Sequence, residues 1–359
     1  MAPGVTVVTP QSLPGVRAMN NRLSQSCIAV LLAVAAVAAG AQPTQRYRVT
    51  DLGTLGGPES DATGINKDGL IVGYSNIRSA LGPYRAIAVA DGMMSELGGL
   101  SPRGESFALG VNDAGVACGQ AEARDGSARA VVFVDGQVYD FASMRPDWLQ
   151  SLATGINDAG HVVGNALSTL DFMIHGFVWT GTADTRPKML PDPGSSANAI
   201  NRHDQVVGAI FSAGMLFERG RKTPLGTLGG SWSEGVALND VGEVTGWAAL
   251  PGDGQAHAFV WRDGSMTDLG TLGGWQSRGA AIDRHGNVVG WSWRRVLDEQ
   301  RAFIAHDGRM VDLNDLLDDD SGAGWLLHKA NAIDEQGRIV GQGKHDGRFH
   351  AFLLTPMAR

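Results

Sequence analysis

The sequence predicts an all-β chain folded as a seven-bladed β-propeller of four-stranded antiparallel blades. Three observations carry this. A unit made of an apolar strand, Asn or Asp, a tight turn and a second apolar strand ending in Gly occurs seven times. Two further apolar segments joined by another tight turn follow most copies. The two ends of the repeat region are complementary fragments of one unit.

The copies are centred on Asn66, Asn112, Asn157, Asn201, Asn239, Asp283 and Asp334, and each has its glycine seven positions later, from Gly73 to Gly341. They recur at 46, 45, 44, 38, 44 and 51 residues. A four-stranded meander of that length is the size of one propeller blade. The clearest copy spans 231–274, with strands over 235–238, 243–246, 257–261 and 266–269. Its turns, 239–242 and 262–265, place Asn or Asp where a side chain caps the turn and Gly where the chain turns left-handed. Strand three recurs at 85–89, 129–133, 175–179, 301–304 and 350–354. The fourth copy is irregular, with Asp204 at the turn-glycine position.

The segment around Val49 reads as a fourth strand with no blade before it, and the segment around Phe352 as a third strand with nothing after it. Pairing them closes seven blades into a ring and is expected to leave no exposed edge strand.

Ahead of the repeats, residues 28–39 form an apolar run too short to span a bilayer. It is preceded by Arg22 and followed by Ala39-Gly40-Ala41. Residues 1–41 therefore read as a secretory signal peptide, with Met19 the natural start, and 42–359 as a single propeller. The chain is expected to be exported, to the periplasm or the exterior, after cleavage near Ala41. No later run could cross a membrane as a helix. Without Arg17 and Arg22 the balance is 27 basic to 37 acidic side chains. A mildly acidic surface without a Lys/Arg block argues against nucleic acid as partner. Cys118, the one cysteine after the leader, replaces an apolar strand residue and reads as an inert core thiol.

Signatures of catalysis are lacking: no Gly-x-Ser-x-Gly, His-Glu-x-x-His, Cys-x-x-Cys or phosphate-binding glycine loop occurs. His175, His257 and His350 recur at one strand-three position. Third strands lie ~10 Å outward from the first, so the three cannot share an ion and read as packing or hydrogen-bonding residues of the blade edges. Asp318 and Asp320 form the one candidate for a hard cation such as calcium, against a solvated acidic turn.

In an up-and-down blade the one-two and three-four turns share one face, and the longer, variable two-three and four-one connections share the other. Seven of the nine tryptophans lie in or beside the second set. Variable loops on a rigid scaffold are where binding usually resides. Trp148, Trp232, Trp275 and Trp325, with Arg103 and Arg278, are the ligand-binding candidates, with gap-filling between blades the alternative for the four tryptophans. For Trp247 and Trp291, directly after the strand-two glycine, packing between blades is expected instead.

His257-Ala258-Phe259, His350-Ala351-Phe352 and Leu-Gly-Thr-Leu-Gly-Gly at 52–57, 225–230 and 269–274 are the distinctive motifs. With the Asn-x-x-Gly-x-Val-Val-Gly units and the closing 312–317 segment, they make nearly the whole repeat region resemble the HAF-repeat, or extracellular-repeat, family of bacterial exported proteins. The resemblance implies an exported repeat protein of no established activity. Members often end in a Pro-Glu-Pro sorting tail; the chain stops at Arg359 without one, so release is expected instead of surface anchoring.

The expectation is an exported, monomeric, non-catalytic binding module that takes a glycan or an extracellular or envelope protein on its long-loop face. The rivals are a hydrolase or lyase with its site in a central pocket on that same face, and a structural matrix protein.

Overall fold

The computed structural model describes residues 45–78, 82–182, 184–294 and 299–358. Residues 1–44, with the expected signal peptide and Met19, lie outside the described residues. Blade one comprises Gly56–Ile65, Ile71–Ile77, Tyr84–Ala90 and Met93–Gly98. Blade two comprises Ser106–Val111, Ala117–Glu122, Ala128–Val134 and Gln137–Tyr139. Trp148–Ile156, Val162–Ser168, Ile174–Trp179 and Lys188–Met189 form blade three. Ser195–Ile200, Val206–Ile210, Ala213–Glu218 and Arg221–Pro224 form blade four. Blade five is Ser233–Leu238, Val244–Ala249, Ala256–Arg262 and Ser265–Asp268. Blade six is Ser277–Ile282, Val288–Trp293, Gln300–His306 and Arg309–Asp312. Blade seven takes Trp325–Ile333, Ile339–His345 and Arg348–Pro356 from the C-terminus and Tyr47–Asp51 from the N-terminal side.

In each of these seven sheets, consecutive strands pair antiparallel from strand one to strand four. Val49 lies opposite Leu354 and Asp51 opposite Phe352, so the ring closes as expected. The expectation that no edge remains is corrected. Each blade ends outward in a fourth strand with no further strand beside it, kept short at two to six residues, and in blade seven Tyr47 is covered in part by a single bridge to Leu317. Brevity limits edge-to-edge pairing.

Strand two also runs beyond the glycine that the sequence takes as its end, and the two-three connections are shorter for it. The glycine has another task. In every blade strand one bulges opposite it, as between Gly235 and Ala237 facing Gly246. A Cβ on this glycine would sit 1.9 Å from the Asp61 oxygen in blade one and 2.0 Å from the Glu234 oxygen in blade five. The carbonyl just ahead of the bulge thus occupies the place of a side chain, and only glycine can face it.

The apolar core lies between blades. Val207, Leu216 and Leu225 of blade four pack with Val244, Ala248, Phe259 and Trp261 of blade five, and the other junctions repeat the scheme. This explains the His-Ala-Phe motif: Ala258 and Phe259 are fully buried. Asp268 pairs in register with Phe259, so it shares a face with His257, two residues away, and accepts its Nδ1 hydrogen bond at 3.0 Å. Cys118 is buried, and desolvation pushes its thiol up to about 12, as an inert core residue requires.

Two polar latches join neighbouring blades. On the long-loop side, a strand-three N–H donates to a serine of the next blade at 2.8–3.1 Å: Ala86 to Ser106, Ala130 to Ser151, Gly176 to Ser195, Gly214 to Ser233, Ala258 to Ser277 and Ala351 to Ser60. Ser60 and Ser277 in turn donate to Gly53 and Gly270 of the Leu-Gly-Thr-Leu-Gly-Gly loops. On the short-turn side, each repeat Asn caps its own turn through Oδ1 and donates Nδ2–H to the main-chain oxygen of the next copy. Asn66 reaches Asn112, which reaches Asn157, then Asn201, Asn239 and Asp283, at 2.9–3.1 Å. Asp283 and Asp334 keep the turn cap but have no amide to donate. Arg338 instead bridges from blade seven to the Lys67 oxygen of blade one.

Gly246→Ala should therefore lose ~2 kcal/mol or more, because the displaced carbonyl belongs to a strand fixed on both sides. Denaturant unfolding checks this; an unchanged midpoint would mean the bulge relaxes freely.

Candidate functional site: an aromatic cleft on the long-loop face

The two faces of the ring differ chemically. On the short-turn face an axial cavity of about 430 Å³ opens among the seven one-two turns. The rival reading places its central pocket on the long-loop face; this cavity opens on the opposite one. The residue after each repeat Asn or Asp forms its mouth, and neighbours pair by charge: Lys67 with Asp113 at 3.3 Å, Arg202 with Asp240 at 3.5 Å and Arg284 with Glu335 at 2.9 Å. Asp158 accepts the Asp113 N–H at 2.9 Å. The collar therefore spends most of its charge on itself.

Further along the inner strands of blades seven and one, Asp61 is buried and holds Lys329 at 2.5 Å, Asn331 at 2.8 Å and the Tyr74 hydroxyl at 2.8 Å. Burial, with Asp61 beside it, raises the Tyr74 phenol well above its ordinary value.

Off the axis on the long-loop face, a cleft of about 610 Å³ lies across blades three, four and five. Its walls are Phe172 from the two-three connection of blade three, Ile174 at the start of that blade's third strand, Phe211 from the two-three connection of blade four, and Trp232 ahead of blade five. Trp247 stands edge-on to Trp232 with ring centres 5.0 Å apart. Phe172 and Phe211 are 73% and 69% exposed, and Leu170 on the same loop as Phe172 is 77% exposed. The carboxylate at the floor, Glu234, accepts from Trp247 Nε1 at 2.8 Å and Asn198 Nδ2 at 3.1 Å. Arg278 approaches it at 3.9 Å and covers the Trp247 ring at 5.3 Å.

Of the sequence candidates, Trp232 lines this cleft and Arg278 meets it through Trp247. The others stand apart. Trp275 is partly exposed and stacks on Trp293 at 6.3 Å. Trp148 packs on Phe177 at 4.8 Å with Arg145 over its ring. Trp325 stacks on His345 at 4.6 Å, and Arg103 is exposed on a blade-two loop. Trp247 faces the cleft, where packing alone was expected. Phe172, Ile174, Phe211 and Glu234 went unnoticed in the sequence. A signal for Phe211 exists: it occupies a two-residue turn where Asn, Asp or Gly belongs.

For cations, Asp318 is already engaged as a turn cap by the Ser321 N–H and hydroxyl, which hold its carboxyl below the usual range, and Asp320 is exposed beside it. Among the described residues, the three-residue grouping with metal-ligand chemistry is Asp51, His345 and His350. Burial pushes the Asp51 carboxyl up, and hydrogen bonds from His350, the Gly53 N–H and His345 more than offset it, leaving it below its ordinary value. His175, His257 and His350 do not converge, as expected: His175 pairs with Asp171 and His257 with Asp268.

No protein-family model matches the chain, and no curated protein does. Among solved structures, a gluconolactonase from Xanthomonas campestris is 11% identical, covering 87% of this chain and 95% of that one with a TM-score of 0.40. A triple mutant of AofleA from Arthrobotrys oligospora is 11% identical over 75% of this chain and 90% of that one, with a TM-score of 0.38. A sialidase from Trypanosoma rangeli is 8% identical over 83% and 54%, with a TM-score of 0.39. Likenesses this distant say nothing about ligand or reaction.

Proposed function

We propose that the chain is an exported binding module that captures a partner protein through the aromatic cleft of its long-loop face. The observation that carries this is a pair of strained, solvent-facing phenylalanines. Among the described residues, eleven non-glycine residues have positive φ, and seven of them are aspartate, the expected turn chemistry. Phe172, at φ 56°, and Phe211, at φ 52°, are the aromatic exceptions, and both line one cleft. An L-residue in this conformation costs ~1–2 kcal/mol, which exposed rings do not recover by packing in the isolated protein. A bound partner would recover it.

A protein fits better than a glycan. The cleft offers Phe172, Ile174, Phe211 and the tryptophans, with Leu170 close by, while the carboxylate that could hold sugar hydroxyls is tied to Trp247 and Asn198. Buried aromatic anchors in a pocket dominate protein recognition. A hydrolase or lyase in the axial cavity finds less support, since Asp113, Asp240 and Glu335 are each paired with a cation. Membership of the HAF-repeat family and removal of residues 1–41 belong to the same reading. Terminal sequencing of protein recovered outside the cytoplasm should start at Gln42; recovery of an intact leader would refute export.

Phe211→Asn and Phe172→Asn place suitable turn residues at these positions. Each should leave the melting temperature unchanged or raise it. Peptides selected on the wild type from a random display library, expected to be rich in apolar side chains, should bind the variants at least tenfold more weakly. A fall in melting temperature would make the rings core residues. Selection of glycans on an array, with no peptides, would replace the proposed partner.

A further inference from the structure

The geometry points to a divalent transition-metal site formed by Asp51, His345 and His350, which clasps the N-terminal strand to the last blade. Asp51 Oδ2 lies 2.8 Å from His345 Nδ1 and 2.9 Å from His350 Nδ1, and the three donor atoms fall within 4.8 Å of one another. The residues come from three adjacent strands: Asp51 ends strand four, His345 ends strand two and His350 stands on strand three.

The other blades serve as an internal control. A basic residue of strand three paired with a carboxylate on or just after strand four recurs as Arg129 with Asp140, His257 with Asp268 and Arg301 with Asp312. That pair alone is a structural device of the repeat. Blade seven adds a second imidazole to it. Four positions after the strand-two glycine, where blade seven has His345, the others carry Ile77, Ala123, Ser168, Ser212, Leu250 and Arg294.

Two imidazoles and one carboxylate suit zinc and its neighbours, not calcium or magnesium, which prefer all-oxygen shells. Ligand atoms of a tetrahedral zinc stand about 3.3 Å apart for bonds of ~2.0–2.1 Å. The carboxylate would withdraw ~0.5 Å from each ring, and donor atoms now up to 4.8 Å apart would close around the ion. The supports are in place. The Gly53 N–H holds Asp51 Oδ1 at 2.8 Å and leaves Oδ2 to the ion. Trp325 lies parallel to His345, at 3°, and fixes the plane of its ring, while the exposed Asp346 stands 4.0 Å from its Nε2. Binding at Nδ1 leaves both imidazoles neutral, with their protons on Nε2. The side chains are 19–29% exposed, so water can enter as the fourth ligand.

The test uses the purified protein, stripped with EDTA and titrated with Zn²⁺ by calorimetry. The wild type should bind one equivalent and melt at a higher temperature with zinc, since only the folded ring assembles the three donors. Its Co²⁺ form should show visible d–d bands. His345→Phe keeps a ring against Trp325 and removes the donor; it should weaken zinc binding at least tenfold and abolish both the melting shift and the bands. His257→Ala, which breaks a two-residue pair elsewhere, should change neither. Equal zinc affinity in wild type and His345→Phe, or a wild type with no saturable site, would overturn the assignment.

Discussion

No blade of this protein can bury both its faces alone, so each needs a neighbour on either side. That requirement is met only if the ring closes. Closure rests on five residues, Tyr47–Asp51, laid antiparallel along Arg348–Pro356. Tyr47 and Val49 enter the same apolar cluster as Leu313, Leu316, Leu327, Phe352 and Leu354. Through residues 52–55 the same segment leads into blade one, tying the two ends of the ring covalently as well as by hydrogen bonds.

With the ring closed, the repeat serves the junctions more than the blades. The serine latch satisfies a buried N–H on one side, and the asparagine relay satisfies buried carbonyls on the other. Between them lies a dry layer of Ala and Phe. A satisfied buried hydrogen bond contributes ~1 kcal/mol net, but leaving its partner unpaired costs more. The latches thus discourage alternative blade registers more than they add stability. The short-turn face is held by the relay and by the charged collar around the axial cavity. Loops on the opposite face can vary, and there the chain accepts backbone strain to hold aromatic rings in solvent.

Much of this was legible in the residues. Asn and Gly at a fixed spacing of seven gave the units, and the mismatched ends gave closure. The serine latch was legible too but passed over: Ser60, Ser106, Ser151, Ser195, Ser233 and Ser277 each lie six residues before a repeat Asn or Asp. The bulge was not, because a glycine that faces a carbonyl and a glycine that ends a strand look alike in one dimension. The cleft was legible only in fragments. Phe172, Phe211 and Trp232 belong to three blades, and their meeting depends on loop paths that periodicity does not encode. The same holds for His345, whose value comes from a residue 294 positions away.

The closure claim is tested most directly by hydrogen exchange of the amides of Tyr47–Asp51, whose sheet partner is the last blade. The account predicts slow exchange there, tracking global unfolding as in the inner strands. Rapid exchange across these residues while the other blades remain protected would contradict it.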